Sequence, residues 1–275
     1  TYYNNRGKDL KEYMKEIDSL IKISRLYGSD NKFVIAGGGN TSYKNKDRLW
    51  VKASGVSLAT ISEDGFALLD RAKLNLMTEK VYSSDDDERE EQVKRDLEEA
   101  TLTKGKRPSV ETSMHNAINY AFVVHLHPTL VNALMCSQNA ESELTRLFGD
   151  KHIFVEYTDP GYILFKKVND KIEEYRLTYN EEPKIIWLQN HGIFVAADTI
   201  EEIQGIYSDI IKKLEEELLE TLDVKPLEVN GSVVEILPAL RMMLSEKDLK
   251  TLRVRSNSLI KYYNEQPENQ KDIAK

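Results

Sequence analysis

The sequence predicts a mixed α/β protein. Short apolar runs rich in β-formers are bounded by Gly or Asn, as strands commonly are. Longer segments carry apolar residues at helical spacing. The two kinds of element do not alternate strictly, which argues against a doubly wound parallel sheet. With 275 residues, 40% of them apolar, the chain can fill the core of one α/β domain with additions.

The N-terminal third of the chain predicts one helix, three strands and a charged segment. Residues 9–27 have the apolar spacing of an amphipathic helix, and Gly28 follows as its C-cap. The predicted strands are 33–37, 48–54 and 65–70. Residues 78–107 contain DDDEREE and few apolar side chains. We therefore expect a solvated insertion there, partly helical around residues 88–102.

The remainder of the chain continues the mixed order. Pro108 and Ser109 mark a helix start, which places Glu111 in the first turn. Further predicted elements are a strand at 121–128, a helix at 130–137, a strand at 151–157, two strands within 185–198 around an Asn-His-Gly turn, and a helix at 199–222. Residues 1–222 are thus predicted to form the main domain and residues 223–275 a helical C-terminal extension.

Charge and composition exclude several classes of partner. Lys and Arg total 38 against 46 Asp and Glu, and a net charge of -8 repels nucleic acid and anionic membranes. The chain has no apolar run of membrane-spanning length and no secretion-signal pattern at its start, so we expect a cytoplasmic protein. It begins without Met, as a piece of a longer protein would. The single cysteine, Cys136, excludes an internal disulfide and has the apolar neighbours of a buried helix position.

Histidines supply the main chemical signal. The chain has five, which are His115, His125, His127, His152 and His191. His125 and His127 lie two apart on a predicted strand, so they project from the same side. His191 is followed by Gly192, which permits a tight turn that presents the ring. Three neutral imidazoles with one vacant position are the ligands of a catalytic zinc ion.

The alternative for the pair in AFVVHLHP is two ordinary, half-exposed histidines. Polar rings at the end of so apolar a strand are costly unless they are paired or ligated, which favours a metal. A structural zinc site would take four protein ligands and usually includes Cys, and the single cysteine of the chain excludes a Cys-rich site.

Glu111 is the second candidate, since its helix leads directly into the histidine strand. A carboxylate beside zinc can ligate the ion or act as general base and acid. The alternative is that Glu111 only complements the positive end of the helix. His115 lies one turn later and can support Glu111 by a hydrogen bond or face the core.

The run AGGGNTS has the glycines of a loop that approaches an anion. Asn40 and Thr41 can donate side-chain hydrogen bonds to such an anion. The run lacks the Gly-Lys-Ser/Thr ending of a P-loop and the spacing of a dinucleotide fingerprint. Taken alone, the run is best interpreted as a plain glycine-rich turn beside a strand, and an anion that is not part of a nucleotide is the alternative.

Five segments together resemble the class II aldolase/adducin family, in the same order and at similar spacing apart from the charged insertion. They are GNTS at 39–42, SG at 54–55, PSVETSMH at 108–115, HLHP at 125–128 and NHG at 190–192. The resemblance covers about residues 9–220. GGGNTS, LWVKASG and LPALRMMLSE are most similar to the aldolase part of bifunctional rhamnulose-1-phosphate aldolase/alcohol dehydrogenases, although no dinucleotide fingerprint follows here.

The resemblance implies a central mixed β-sheet between helical layers, and a homotetramer with active sites near subunit boundaries. It implies a zinc ion on His125, His127 and His191, with Glu111 as the acid/base group. The residues that it implies for the phosphate of the substrate are Asn40, Thr41, Ser54, Gly55 and Ser109. Val110 departs from the pattern, because fuculose-phosphate aldolases carry a second serine there; Lys52 can compensate.

The function that we predict is zinc-dependent cleavage of a ketose 1-phosphate of the rhamnulose or fuculose type. The products would be dihydroxyacetone phosphate and an aldehyde such as lactaldehyde. Zinc would neutralise the charge that develops on the enediolate, so no Schiff-base lysine is needed.

Three other activities and one non-catalytic role stay open from the sequence. Pentulose-phosphate epimerases of the family typically carry Asp at the position of Glu111. Decarboxylases and dehydratases keep Glu, but more often have Ser where this chain has Pro128. A non-catalytic adducin-like module would not need the ligands.

Overall fold

A computed structural model describes residues 2–218, 225–245 and 247–266. Within these ranges, seven strands form one sheet. They are β1 (Asn40–Lys44), β2 (Arg48–Lys52), β3 (Phe66–Asp70), β4 (Phe122–Leu126), β5 (Ile153–Val155), β6 (Ile185–Leu188) and β7 (Gly192–Ala197). Their order in the sheet is β3-β2-β1-β4-β7-β6-β5.

The sheet is mixed. All neighbouring strands are antiparallel except β5 and β6, which are parallel. β1 and β4 lie at its centre, and their register pairs Asn40 with His125. Two residues predicted to carry chemistry thus lie side by side on one face of the sheet.

Helices cover both faces, so the predicted central mixed sheet between helical layers is confirmed. The described helices of the whole chain are, in order, α1 (Tyr2–Gly28), α2 (Arg71–Glu79), α3 (Asp86–Ala100), α4 (Thr112–Ala117), α5 (Thr129–Met135), α6 (Ala140–Phe148), α7 (Tyr162–Tyr179), α8 (Ile200–Glu216), α9 (Ser232–Leu244) and α10 (Ser258–Glu265), of which the last two belong to a separate C-terminal unit. Helices α1, α5, α6 and α8 pack on one face, and α2, α3, α4 and α7 on the other.

The α1 face of the sheet holds the largest core cluster. Leu20 and Ile23 of α1 pack with Val124 of β4, and none of the three side chains is exposed. Tyr207 of α8 is also fully buried, and its hydroxyl donates to the Val124 carbonyl at 3.1 Å. The strand that carries His125 thus packs against a buried apolar core on its other face.

The charged segment is less solvated than its sequence predicts. Acidic residues fill the first turn of α3, where they complement the helix dipole. Val93, Leu97 and Ala100 are nevertheless buried, and they pack with Val51 and Leu69 of the sheet. Apolar residues spaced four and three apart form one face of a helix. Burial of that face packs the helix on the sheet even though its other face is charged.

The prediction of a strand at residues 33–37 is wrong. These residues form turns, Ile35 is 68% exposed, and Ala36 has a φ of 56° that no strand residue adopts. The strand is β1, which follows the glycines rather than preceding them. Its polar residues are stabilised there by pairing with both β2 and β4.

Smaller differences concern single positions. Cys136 is exposed, contrary to the buried position predicted for it, because it lies at the C-cap of α5 one step past the buried Met135. The helix predicted at 199–222 is described to Glu216, and residues 219–222 of that prediction lie outside the described residues.

Backbone contacts divide the chain into two compact units, Thr1–Glu216 and Glu217–Lys275. The boundary predicted after residue 222 lies outside the described residues. In the second unit, an isolated bridge pairs Pro226 with Asn257, and Arg241 Nε donates to the Lys250 carbonyl at 2.7 Å. Among the described helices, none is long and apolar enough to cross a membrane.

Candidate metal centre

The ends of β4 and β7 bring three histidines together. His125 lies within β4 and is fully buried, and His127 follows the strand end. His191 lies in the turn between β6 and β7, which the pairing of Leu126 with Ile193 brings beside the end of β4. One ring nitrogen from each histidine lies within 4.8 Å of the other two. This is a geometry in which all three can ligate one ion.

Glycines surround these rings because a side chain would not fit. A Cβ at Gly192 would lie 2.5 Å from the Leu126 carbonyl oxygen and 2.6 Å from His127 Cδ2. A Cβ at Gly38 would lie 3.3 Å from His127 Nδ1. Gly39 has a φ of 74° and approaches the His125 carbonyl. Two of the three glycines expected to approach an anion thus approach the histidine segment instead.

Glu111 reaches the histidines from the N-terminus of α4. Its Oε1 lies 3.2 Å from His125 Nε2 and 3.2 Å from His191 Nε2. Its other oxygen, Oε2, accepts a hydrogen bond from Asn40 Nδ2. Burial by itself raises the pKa of the Glu111 carboxyl, but His125 and His191 lower it by more, so it lies well below its ordinary range. Glu111 is therefore a carboxylate in this setting.

The cluster is suited to a divalent cation. His125 Nδ1 donates to the Ile193 carbonyl at 3.1 Å, so a neutral His125 has its proton there and presents the Nε2 lone pair. That lone pair faces both Glu111 Oε1 and His127 Nε2, which is 3.0 Å away. Acceptor atoms this close repel one another unless a shared proton or a metal cation lies between them. Imidazole nitrogens with a carboxylate oxygen are ligands typical of zinc.

His127 is held in the form that ligates. Burial, with the added effect of His125 and His191, lowers the pKa of His127 to about 3. A neutral imidazole keeps a lone pair for a metal across the whole range of physiological pH. The Ile193 carbonyl likewise prepares His125 to ligate a metal, because it fixes which ring nitrogen of that residue faces the site.

A second polar layer lies under Glu111. Asn40 contacts Glu111 through Nδ2 and His115 through Oδ1. Ser42 Oγ lies 2.7 Å from His115 Nδ1, and Lys44 Nζ donates to the His115 carbonyl at 2.8 Å. Ser42 and Lys44 were not predicted as site residues. Their signal is the alternation N-x-S-x-K, which puts three polar side chains on one strand face.

Three residues predicted to bind phosphate lie close together. Ala53 and Pro108 form an isolated β-bridge, and Ser54 N donates to the Arg107 carbonyl at 2.9 Å. These contacts hold Ser54 and Gly55 against the segment that contains Ser109. Gly55 has a φ of 83° and open space at its Cβ position, so its backbone is accessible.

Two other predicted phosphate residues are engaged elsewhere. Thr41 faces α1, is fully buried, and is hydrogen-bonded to Ser24 Oγ at 2.6 Å. Its side chain points away from Asn40, because neighbouring strand residues face opposite sides. The Asn40 amide group donates to Glu111 and, at 3.4 Å, to Ser109 Oγ, which uses both of its hydrogens. Asn40 thus lies between the histidine cluster and Ser109.

Val110, where the chain departs from the family pattern, and Lys52, which was expected to compensate, differ in exposure. Val110 is 59% exposed and lines a cavity of about 300 Å³, together with apolar residues of α3 and α7. Lys52 is 6% exposed. Burial lowers the pKa of Lys52, and the charge of Glu111 opposes that effect.

Comparisons with known proteins agree on one family. A sequence model described as the class II aldolase and adducin N-terminal domain matches residues 18–206. An uncharacterized oxidoreductase of Bacillus subtilis, YuxG, is 27% identical over 211 residues, which are 74% of this chain and 29% of that protein. The chain thus spans less than a third of the length of that relative.

An L-fuculose phosphate aldolase of Methanocaldococcus jannaschii is 26% identical over 186 residues, covering 63% of this chain and 80% of that one. Among solved structures, the N-terminal class II aldolase domain of a conserved Thermoplasma acidophilum protein superimposes with a TM-score of 0.62. That domain is 26% identical, and the match covers 73% of this chain and 92% of that chain.

Proposed function

Because the chain belongs to the class II aldolase and adducin family, we propose that it is a zinc-dependent aldolase that cleaves a ketose 1-phosphate. The observation that carries this proposal is a cluster of three histidine ring nitrogens within 4.8 Å of one another, with Glu111 Oε1 3.2 Å from two of the rings. The similarity to L-fuculose phosphate aldolases supports a phosphorylated sugar as substrate. The products would be dihydroxyacetone phosphate and an aldehyde such as lactaldehyde.

In this proposal His125, His127 and His191 hold the zinc ion. A bound zinc ion supplies Lewis-acid chemistry, which stabilises negative charge on the substrate oxygens during cleavage of the carbon-carbon bond. The Ile193 carbonyl keeps His125 Nε2 directed at the site, which makes this ring a preorganised ligand.

Glu111 moves the proton. Oε1 is the oxygen that faces the histidines, whereas Oε2 is held by Asn40. Oε1 is therefore the atom that takes a proton from the C4 hydroxyl of the substrate or returns one to the carbon released by cleavage. Glu111 is only 8% exposed, so its contact with bulk water is limited.

Ser54, Gly55 and Ser109 bind the substrate phosphate in the proposal. Their donors are the two serine hydroxyls and the Gly55 backbone N–H. The Ser54 hydroxyl donates to the Pro108 carbonyl at 3.3 Å and would turn from it to the phosphate. We assign no phosphate contact to the Thr41 side chain, because it is hydrogen-bonded on the other face of the sheet.

The proposal is tested with zinc-loaded protein and two substrates, rhamnulose 1-phosphate and fuculose 1-phosphate. Dihydroxyacetone phosphate is measured by coupling it to a reductase that consumes a nicotinamide cofactor. We expect product from at least one substrate, and none after treatment with a chelator. Absence of product from both sugars, in a preparation with one zinc per chain, would overturn the aldolase proposal. An isomer formed without cleavage would instead indicate an epimerase.

A further inference from the structure

The polar side chains on one face of β1 make hydrogen bonds to residues at and near α4. Asn40, Ser42 and Lys44 alternate along the strand and are all buried. Each of them contacts His115, through Nε2, Nδ1 and the backbone carbonyl respectively. His115 has no exposed surface, and its backbone N–H donates to the Glu111 carbonyl at 3.2 Å.

The chemistry of the groups fixes the direction of every hydrogen bond. The Glu111 carboxylate only accepts, so Asn40 presents its Nδ2 hydrogens to Glu111 and its Oδ1 to His115. An amide oxygen carries no hydrogen, so His115 Nε2 must donate to it. The ring is neutral, because burial lowers the pKa of His115 to about 3. Nδ1 is therefore the acceptor, and the Ser42 hydroxyl donates to it.

We propose that His115 is a positioning residue, which locks the Asn40 amide so that Glu111 keeps Oε2 tethered and turns Oε1 toward the three histidines. This deepens the proposed function, because it rests on Glu111 as the proton-transferring group. A reversed His115 tautomer would place a lone pair against the Asn40 oxygen and release the amide. The contact of His115 Nε2 with the Asn40 oxygen selects the Nε2–H tautomer, and Ser42 stabilises it by donating to Nδ1.

Two measurements test the proposal without any substrate. Long-range ¹H–¹⁵N correlation spectra of the wild-type protein should show His115 with its proton on Nε2, and these signals should be absent in His115→Gln. Zinc affinity, measured by competition with a chelator, should fall about tenfold to a hundredfold in His115→Leu, because release of Asn40 lets Glu111 Oε1 turn away from His125 and His191 and removes a negative charge from beside the ion.

Conservative replacement separates positioning from packing. The amide nitrogen of Gln can donate to Asn40 as His115 Nε2 does, so His115→Gln should recover most of the zinc affinity that His115→Leu loses. Turnover of the sugar phosphate should follow the same order, with kcat lowered about tenfold to a hundredfold and KM little changed. His152→Leu is the matched control, since His152 lies outside the site, and it should leave zinc affinity and kcat unchanged.

The outcomes are distinct. A proton on His115 Nδ1, or equal zinc affinity in His115→Leu and wild type, would overturn the proposal. If neither sugar is cleaved but zinc affinity falls in His115→Leu and returns in His115→Gln, the positioning role stands and the proposed reaction fails. If His115→Leu does not fold, Ser42→Ala replaces it. That variant should raise the population of the Nδ1 tautomer and weaken zinc binding.

Discussion

Glu111 has two carboxylate oxygens in different surroundings. Oε1 lies 3.2 Å from two histidine nitrogens, and Oε2 accepts from Asn40. A charge-assisted hydrogen bond to one oxygen restricts rotation of the group and leaves the other free for chemistry. Glu111 thus makes contacts both with the polar layer beneath the site and with the histidines of the site.

Replacement of Glu111 by Gln keeps the shape of this side chain and removes its basic oxygen. We expect Glu111→Gln to fold, to retain zinc on the three histidines, and to lose about a hundredfold to ten-thousandfold in kcat. Elemental analysis and steady-state rates on the same preparation provide the check. A variant as fast as the wild type would reduce Glu111 to a charge at the start of α4.

Gly192 is the position at which an added methyl group should do most damage. Its Cβ would lie 2.5 Å from a backbone oxygen and 2.6 Å from the His127 ring. We expect Gly192→Ala to lower the free energy of unfolding by about 1–3 kcal/mol, and to weaken zinc binding because His127 must move.

Gly205→Ala is the matched control for this change. Gly205 lies in α8 with nothing within 4 Å of its Cβ position, so this substitution should be neutral or stabilise by about 0.4–1 kcal/mol. Urea denaturation of both variants, with and without zinc, measures the difference. Equal stability of the two variants would contradict the packing that surrounds His127.

At the residue scale, the sequence predicts types of chemistry better than contacts. The His-x-His pair and the Asn-His-Gly turn each point to a ring at a strand end, and the structure brings these rings together. The sequence does not specify which face of the sheet the Thr41 side chain occupies. Whether Asn40 or Thr41 faces the site depends on the pairing of β1 with β4, which is a property of two distant segments.

At the scale of elements, α3 is fixed to its surroundings by polar contacts as well as by its buried residues. Asp96 accepts from Tyr82 Oη at 2.7 Å and pairs with Lys80 Nζ at 2.6 Å. Burial raises the pKa of Asp96, but Lys80 and Tyr82 together lower it by more, so the net shift is downward.

A lowered pKa gives the Asp96 contacts a defined pH dependence. The folded state favours the carboxylate, so its contribution to stability is present above the pKa of the unfolded chain, about 3.9, and is lost as the pH falls through the folded pKa. We expect Asp96→Asn to destabilise the protein by roughly 1 kcal/mol at pH 7 and by progressively less below about pH 4. Urea denaturation at several pH values measures this, and a difference independent of pH would contradict it.

The elements themselves were predictable to different degrees. Helix α3 and the two strands around His191 follow from local pattern, because periodicity and turn residues are encoded within each segment. The segment 33–37 has a strand-like composition but forms turns, and the polar β1 was missed. A strand with polar residues on a buried face is stabilised by partners that lie far away in the sequence, here Glu111 and His115.

At the scale of the whole molecule, a metal ion would connect two distant parts of the chain. The proposed ligands come from the end of β4 and from the turn before β7, more than sixty residues later. Binding to the folded state alone should raise the free energy of unfolding by about 1.4 kcal/mol for each tenfold rise in free zinc above the Kd. Calorimetric unfolding across a zinc series measures this, with His127→Ala as the variant expected not to respond. A wild-type Tm unaffected by zinc would contradict the site.

The homotetramer, the cytoplasmic location and the boundary after residue 222 remain predictions. Light scattering on the purified chain measures the first of these directly. A tetramer should give four times the mass of the 31.6 kDa chain, which separates it clearly from a monomer or a dimer.

The pairing of Asn40 with His125 has one more consequence. Slippage of β1 by a single residue would turn Thr41 toward α4 and Asn40 toward α1, which would leave Glu111 without its tether. The alignment that buries the core is thus also the alignment that completes the ligand cluster. During refolding, the chain would therefore bind zinc only after β1 and β4 have paired in the correct register. The appearance of zinc binding would report when that pairing forms.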